Sequence, residues 1–325
     1  MMDNHFLLDL QSKKGIDEGI KFLLGKNYTR VKEFLSQYLF EESEEFDVAF
    51  DLRYLEHNIE IDWESIDISN LWIKSYHFTT RNNKADVFSS LIYNLPHMVT
   101  ADTTLKTFFK KHHIEFDLEN HLVHIEGKTY NIHEHDDDSH NPMYWIDAKL
   151  YTDPEVWAFA RTLDISNYNN EFPDTPEFIK NVADILKDAE SFLNDWADTF
   201  GQPFVIEFKE HLSKIKIYDG YDGEFSDDDG DSCLVMKKRL LNLLLSLYLR
   251  NLRKCGFEVF KEFLPEEDIS KIAHALCRLN EHQTGDFDMI LTSLLKGNNV
   301  AVENIINVWD YKEFQERSRL DNCLF

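Results

Sequence analysis

The sequence predicts an α+β fold in which strand-forming stretches lie at both ends of a long helical middle. Apolar residues recur at helical spacing through the first 68 residues and again between about 173 and 280. Stretches that alternate apolar and polar residues, typical of strands, lie near residues 70, 125 and 300. We therefore expect a mainly helical N-terminal region over 1–68, and one domain over 69–325 that carries a helical insertion at about 173–280.

The elements are predicted in chain order as follows. The stretch NLWIKSYHFTTRNN, residues 70–83, predicts a strand from Leu71 to Phe78 that ends in a polar, charged turn. HLVHIEGKTYNI, residues 121–132, alternates around a Gly-Lys turn and predicts a β-hairpin. DPEVWAFARTL, residues 153–163, predicts a helix because Asp-Pro is a typical helix start.

The second half of the chain continues the pattern. Residues 175–200 begin with Thr-Pro and predict one long helix. Residues 203–220, PFVIEFKEHLSKIKIYDG, predict one or two strands. The apolar stretch LLNLLLSLYL, residues 240–249, predicts a buried helix, and residues 287–310 predict strands around a Gly-Asn-Asn turn.

Composition indicates a packed protein with a strongly acidic surface. Hydrophobic side chains make up 43% and aromatic side chains 14% of the 325 residues, which supports a substantial core. The 60 acidic and 34 basic side chains give a formal charge of −26. A field of that sign repels nucleic acid at long range and favours basic partners, so general nucleic-acid binding is disfavoured.

The sequence predicts a cytoplasmic protein without a membrane partner. The opening MMDNHFLLDLQSKKG lacks a basic segment followed by an apolar run, so we expect no signal peptide. None of the 4 cysteines forms a Cys-x-x-Cys pair, which favours a reducing compartment. The apolar stretch at 240–249 is too short to span a bilayer, which requires about 20 residues.

Common catalytic motifs are missing, and one metal alternative stays open. The sequence contains no Gly-x-Ser-x-Gly, no Walker loop and no Gly-x-Gly-x-x-Gly. HEHDDDSH, residues 133–140, contains imidazoles and carboxylates, which are metal ligands, but in no recognised metal-binding spacing. We expect no metal, and we keep a metal-dependent hydrolase using His133, Glu134, His135 and Asp138 as an alternative.

The stretch SYHFTT, at the end of the first long strand, resembles the first-strand motif of the ADP-ribosyltransferases of the diphtheria-toxin-like, DarT-like and RNA-phosphotransferase-like groups. The resemblance implies a split mixed or antiparallel β-sheet core with long helical insertions, and NAD as the substrate. It implies that His77 binds a ribose hydroxyl, while the backbone at Phe78 and Thr79 binds the nicotinamide amide.

Two further stretches resemble the same family. AKLYTDPEVWAFAR, residues 148–161, resembles its strand-then-helix segment, which implies that Tyr151 with Trp157 or Phe159 stacks on nicotinamide. FDMILTSLLKGNNVAVENIINVWD, residues 287–310, resembles its last strands, which implies that Asp288 is the catalytic acid. Asp286 is a second choice and Glu224 a reserve, since the family normally has glutamate.

The resemblance implies an enzyme, a mono-ADP-ribosyltransferase that acts on nucleic acid or protein. It further implies a toxin of bacterial conflict or phage defence, with an antitoxin or another protein as partner. The alternative is a non-enzymatic acidic interaction protein. In that case the helical N-terminal region and the helix around 240–252 form partner surfaces for a basic protein.

Overall fold

The computed structural model describes residues 5–41, 52–88, 91–136, 140–162, 175–218, 224–225, 233–254 and 289–323. Within these ranges the strands are β1 Phe6–Leu8, β2 Leu71–Arg81, β3 Ile114–Asp117, β4 Leu122–Ile125, β5 Lys128–Asn131, β6 Trp157–Thr162, β7 Gln202–His211, β8 Ile215–Tyr218, β9 Glu224–Phe225, β10 Met289–Leu294 and β11 Ile305–Asp310. The helices are α1 Lys13–Leu24, α2 Tyr28–Glu41, α3 Leu52–Asn58, α4 Lys84–Phe88, α5 Leu95–Thr100, α6 Thr104–Lys111, α7 Pro142–Asp147, α8 Glu177–Ala183, α9 Ala189–Phe200, α10 Cys233–Lys254 and α11 Tyr311–Cys323.

The fold is α+β and is built around an eight-stranded sheet in the order β11-β7-β2-β6-β10-β8-β9. Strand β1 pairs in parallel with the first residues of β2, and every other pairing among the described strands is antiparallel. A second sheet, β3-β4-β5, contains the predicted hairpin at 121–132, in which Gly127 takes the left-handed conformation (φ 78°) that its turn requires.

The central strand β2 is paired very unevenly on its two edges. On one edge it pairs with β7 from Trp72–His211 through to Arg81–Gln202. On the other edge, β1 takes the first three residues and β6 pairs only at Tyr76 with Phe159. Beyond Tyr76 these two strands, both fully described, share no further ladder partners. Among the described strands, the second half of β2 therefore has no partner on this edge, which we call its open edge.

One face of the sheet is covered by the N-terminal helices and by α10. A single apolar core joins residues of α1, α2 and α3 to β2, β8 and to the leucines of α10 that the sequence predicted to be buried. Gly19 lets α1 approach closely, since a Cβ there would lie 2.5 Å from a methyl of Leu8. The N-terminal region thus shares a core with the sheet, and no break in packing occurs at residue 68.

The N-terminal segment is also tied to β6 by polar contacts. The side-chain amide of Gln11 donates to the carbonyl of Thr162 (2.9 Å) and accepts from its N–H (2.8 Å). Arg161, only 2% exposed, donates to the carbonyls of Leu10 and Gln11. Gln11 therefore bonds β6 much as a neighbouring strand would.

The other side of the molecule carries two further groups of packed residues. Helix α11 places Phe314 against Tyr76, Phe78 and Phe159 on the face opposite α10. A smaller unit, composed of α5 to α9 and the three-stranded sheet, has its own aromatic core around Phe108, which contacts Phe192 and Trp196.

The predicted helix in DPEVWAFARTL is wrong, because residues 157–162 form strand β6. An interior strand that is buried on both faces presents a continuous apolar run, and periodicity alone does not distinguish such a run from a buried helix. β6 lies between β2 and β10, and five of its six residues are buried. The Asp-Pro pair precedes the strand instead of starting a helix.

The predicted helical insertion at 173–280 also needs correction. Strands β7 and β8 fall inside it, and β7 pairs with the central strand of the sheet. The single helix predicted over 175–200 is two helices, because α8 ends at Ala183 and α9 begins at Ala189 with Asp188 as its N-cap. Residues 255–280 lie outside the described part of the chain.

The structure bears on the membrane prediction only through its helices. In the ranges given above, no helix combines the length and the apolar character that crossing a bilayer would require.

We predict that Gly15→Ala destabilises the protein, although alanine is the better helix former by about 1 kcal/mol. A Cβ at position 15 would lie 2.2 Å from the carbonyl oxygen of Asp9, so the backbone would have to move. We expect a loss of about 1–3 kcal/mol in the free energy of unfolding, measured by chemical denaturation. Lys21→Ala, on the exposed face of α1, is the control and should change it by less than about 0.5 kcal/mol. Equal stability of both variants would contradict the close approach.

Candidate functional site

A cavity of about 470 Å³ opens beside the second half of β2. All five residues from His77 to Arg81 line it, although successive side chains of a strand point to opposite faces. The cavity must therefore lie along the open edge of β2. Residues 155–159, at the start of β6, form the opposite wall, and helices of the smaller unit close one end with Leu95, Met98, Leu105, Phe178, Ile179 and Trp196.

His77 is fixed at the point where β2 and β6 separate. Its Nδ1 lies 2.8 Å from the carbonyl oxygen of Trp157. A carbonyl only accepts, so the neutral ring carries its proton on Nδ1, and Nε2 is left as an acceptor. Nε2 forms no hydrogen bond with any described residue. Burial lowers the pKa of His77 to about 4, and the nearby charge of Arg81 lowers it further, against the opposing effect of the carbonyl bond.

Arg81 ends β2 with its guanidinium in the cavity. Its Nη1 donates to the hydroxyl of Thr79 and, at 2.8 Å, to the carbonyl of Thr80. Burial lowers the pKa of Arg81 to about 10, while the charge of Asp86 opposes that shift. The side chain therefore remains a cation at neutral pH. Residues 77, 79 and 81 share one face of the strand because they are spaced by two.

Two carboxyl groups, those of Asp153 and Glu155, lie in the segment just before β6. Asp153 accepts a hydrogen bond from the indole N–H of Trp157 and lies 3.6 Å from the ammonium of Lys149. Burial raises the pKa of Glu155, and the hydrogen bond and negative charge of Asp153 raise it further. The pair therefore combines a carboxylate that is anchored by Trp157 with a carboxyl group, that of Glu155, whose pKa lies above its ordinary value.

Five residues that the sequence singled out line this cavity: His77, Phe78, Thr79, Trp157 and Phe159. The ring of Trp157 lies 4.9 Å from that of Tyr218, at an interplanar angle of 32°.

Two of the predicted cofactor-binding residues are placed differently. Phe78 also lines the cavity, but its ring packs against Phe159 and Phe314 in the core. Tyr151 is not among the lining residues. It lies in a π-helical turn, where its ring contacts His133 and its hydroxyl donates to the carbonyl of Leu118. Tyr151 and Trp157 are therefore not brought together as one stacking platform.

The predicted acids fall largely beyond the described ranges. Asp288 and Asp286 both lie outside them. Met289, the residue after Asp288, pairs with Thr162, whereas Ser293 pairs with Trp157 beside the cavity. Glu224, the reserve candidate, is the first residue of β9 and pairs with Tyr218.

The metal alternative gains no support from the described residues. His133 and His135 both bond the carboxylate of Asp147, at 3.0 Å and 2.8 Å, and Glu134 accepts from the amide of Asn131. Asp138 lies outside the described residues. Where the structure describes the chain, no group of three histidine, cysteine or acidic side chains is arranged to hold a metal ion.

Sequence reasoning missed the charged residues that line the cavity: Arg81, Lys149, Asp153, Glu155 and Glu177. The signal for Arg81 was the spacing His77–Thr79–Arg81, which places all three on one strand face, but the strand was predicted to end at Phe78. Glu155 was hidden by the wrong helix, since an acid in a first helical turn is ordinary. An acid two residues before an interior strand is unusual enough that the correct assignment of β6 would have drawn attention to it.

Comparisons with protein-family models, with curated proteins and with solved structures returned no match.

We predict that His77 makes the protein less stable as the pH falls. The unfolded ring titrates near 6.5 and the folded one at about 4, so between these values the unfolded state binds more protons. The free energy of unfolding should fall as the pH is lowered through this window, by up to about 3 kcal/mol from this group. Urea unfolding at pH 7 and pH 5 covers the upper part of this window and should show about 2 kcal/mol of the loss.

In His77→Asn this loss between pH 7 and pH 5 should be smaller than in the wild type. His124→Asn is the matched control, because His124 is half-buried, lies outside the cavity, and its ring bonds only Thr129 among the described residues. Identical pH dependence in the wild type and His77→Asn would show that the ring is not buried in its neutral form.

Proposed function

We propose that the chain is a mono-ADP-ribosyltransferase that transfers ADP-ribose from NAD to a macromolecular acceptor, a nucleic acid or a protein. The observation that carries the proposal is the convergence of His77, Thr79 and Trp157 on one cavity beside a carboxyl pair. About 470 Å³ falls within the range of small-molecule sites, roughly 300–1,000 Å³. A position between a sheet and a separately packed unit is also typical of such sites.

The cavity contains the groups that a nucleotide sugar and its leaving ring need. Nε2 of His77 is an acceptor, which suits the donor character of a ribose hydroxyl. Trp157 provides an aromatic surface beside it, and stacking of rings contributes about 0.5–1.5 kcal/mol beyond burial. The two residues are joined through the carbonyl of Trp157, so the ring acceptor and the aromatic surface are held at a fixed spacing.

The transfer step requires little conventional machinery. The bond between the ribose C1′ and the nicotinamide nitrogen breaks, and its electron pair leaves with nicotinamide. A nucleophile of the acceptor then gives an electron pair to C1′ and loses its proton to a base. Negative charge held near C1′ stabilises the positive charge that develops on the ribose.

We assign these two roles to the carboxyl pair. Asp153, held by Trp157 and Lys149, supplies the fixed negative charge. Glu155 has the raised pKa that improves a general base, so it takes the proton of the acceptor. Asp288, which the family resemblance favours, remains the competing assignment for the acid.

The first test is consumption of NAD. We expect labelled NAD to transfer its ADP-ribose to a fraction of total protein or RNA, and to raise the melting temperature, because a ligand that binds only the folded state stabilises it. Trp157→Ala should weaken NAD binding by about 10-fold or more. Trp72→Ala is the matched control, because Trp72 lies at the opposite end of β2 from the cavity.

If NAD produces neither label nor a melting shift in a folded protein, the transferase proposal fails. The acidic interaction protein then becomes the better description, and capture by a basic partner becomes the next test. Transfer with high turnover would suit a toxin of bacterial conflict or phage defence, with an antitoxin that covers the cavity.

We predict that Glu155→Gln lowers the rate of ADP-ribose transfer by about 100-fold or more and changes NAD affinity by less than about 3-fold. The reason is that the amide keeps the shape of the side chain but cannot accept the proton. Single-turnover release of nicotinamide and equilibrium binding separate these two quantities. Asp288→Asn is made in parallel, and a large loss there with none in Glu155→Gln would move the catalytic role to Asp288.

A further inference from the structure

We propose that Arg81 and Thr79 form an anion subsite that binds a phosphate group of the nucleotide in the cavity. The structure assigns this role through the bonding of the guanidinium. Only Nη1 is used by the described residues, and both of its partners are uncharged oxygens, the hydroxyl of Thr79 and the carbonyl of Thr80. Nε and Nη2 bond to no described residue.

A cation in such a place normally has an anionic partner. Burying an unpaired charge is costly, so buried arginines are usually paired with carboxylates. No carboxylate of the described residues lies within ion-pair distance of Arg81, although the chain is strongly acidic. Asp86, whose charge acts on Arg81, is itself hydrogen-bonded to Asn83.

The other cation in the cavity is already neutralised. Lys149 lies 3.2 Å from Glu177 and 3.6 Å from Asp153, and both acids line the cavity with it. Of the two cations that line the cavity, Arg81 is therefore the one without a carboxylate partner among the described residues.

The donor geometry of the Arg81 guanidinium suits a phosphate group. The planar guanidinium offers two parallel N–H donors to two oxygens of one phosphate, which gives both strength and orientation. Thr79 holds Nη1 in place, and the remaining donors are those on Nε and Nη2. His77 lies two residues before Thr79 on the same face of β2, so an acceptor for a sugar hydroxyl adjoins the anion subsite.

This inference rests on the proposed function for the identity of the nucleotide, and it is tested without any transfer reaction. Calorimetric binding compares adenosine, ADP, ADP-ribose and inorganic pyrophosphate on the full-length protein. We expect ADP and ADP-ribose to bind about 10- to 100-fold more tightly than adenosine, since hydrogen bonds to charged groups are the strong ones.

Arg81→Gln should remove that advantage and leave adenosine binding unchanged. Arg81→Lys keeps the charge but loses the planar pair of donors, so it should retain only part of the advantage. The matched control is Arg30→Gln, because Arg30 is exposed, bonds a backbone carbonyl and lies outside the cavity. It should bind ADP like the wild type.

The outcomes separate this inference from the transferase. Arg81-dependent binding of ADP with no transfer from NAD supports the subsite and defeats the proposed function. Equal binding of adenosine and ADP by the wild type overturns the subsite, and this comparison needs no variant to fold. Arg81-dependent binding of pyrophosphate without any binding of ADP or ADP-ribose also overturns it, because the anion would then not belong to a nucleotide.

Discussion

The open edge of β2 is the constraint on which the rest of the site depends. Backbone donors and acceptors at a sheet edge need partners, and natural proteins cover such edges or fill them. Here the first residues pair with β1, Tyr76 pairs with Phe159, and the ring of His77 then bonds the carbonyl of Trp157. At His77 a side-chain hydrogen bond replaces the backbone pairing between β2 and β6, and the cavity begins at this residue. The cavity therefore begins where strand pairing ends, and the residues that precede β6 and residues of the smaller unit complete its lining.

The two cations of β2, Lys74 and Arg81, have different electrostatic surroundings. Lys74 lies 2.6 Å from the carboxylate of Asp9 and 3.4 Å from that of Glu207, and Glu207 also accepts from the indole of Trp309. The charged groups of this network all have partners, as buried polar groups normally do. Arg81, seven residues later, has no comparable carboxylate among the described residues. Charges that are paired within the protein stabilise the fold. A cation without such a pair among the described residues indicates where an anionic ligand is expected to bind.

Much of the architecture followed from local patterns, and the misses have physical causes. The alternation in 71–78, the turn glycine of the hairpin and the leucine-rich helix are set by neighbours in sequence, so periodicity predicted them. β6 and the three-residue β1 depend on partners more than sixty residues away, and local propensity does not contain that information. In the site, resemblance to the family motifs identified His77 and Trp157. Glu155 could be identified only with residues 157–162 assigned to a strand, and Arg81 only with β2 extended to its full length.

The bonds between Gln11 and Thr162 have a consequence for biosynthesis. These bonds join groups that lie 151 residues apart in the sequence. β1 likewise cannot pair until β2 has been synthesised. A chain emerging from the ribosome therefore exposes its first strand-forming segment long before either partner exists. Long-range pairing of this kind slows folding and leaves apolar surface uncovered in the meantime. β1 can therefore reach its native pairing only after β2 has been synthesised, and Gln11 can bond Thr162 only after β6 has been synthesised.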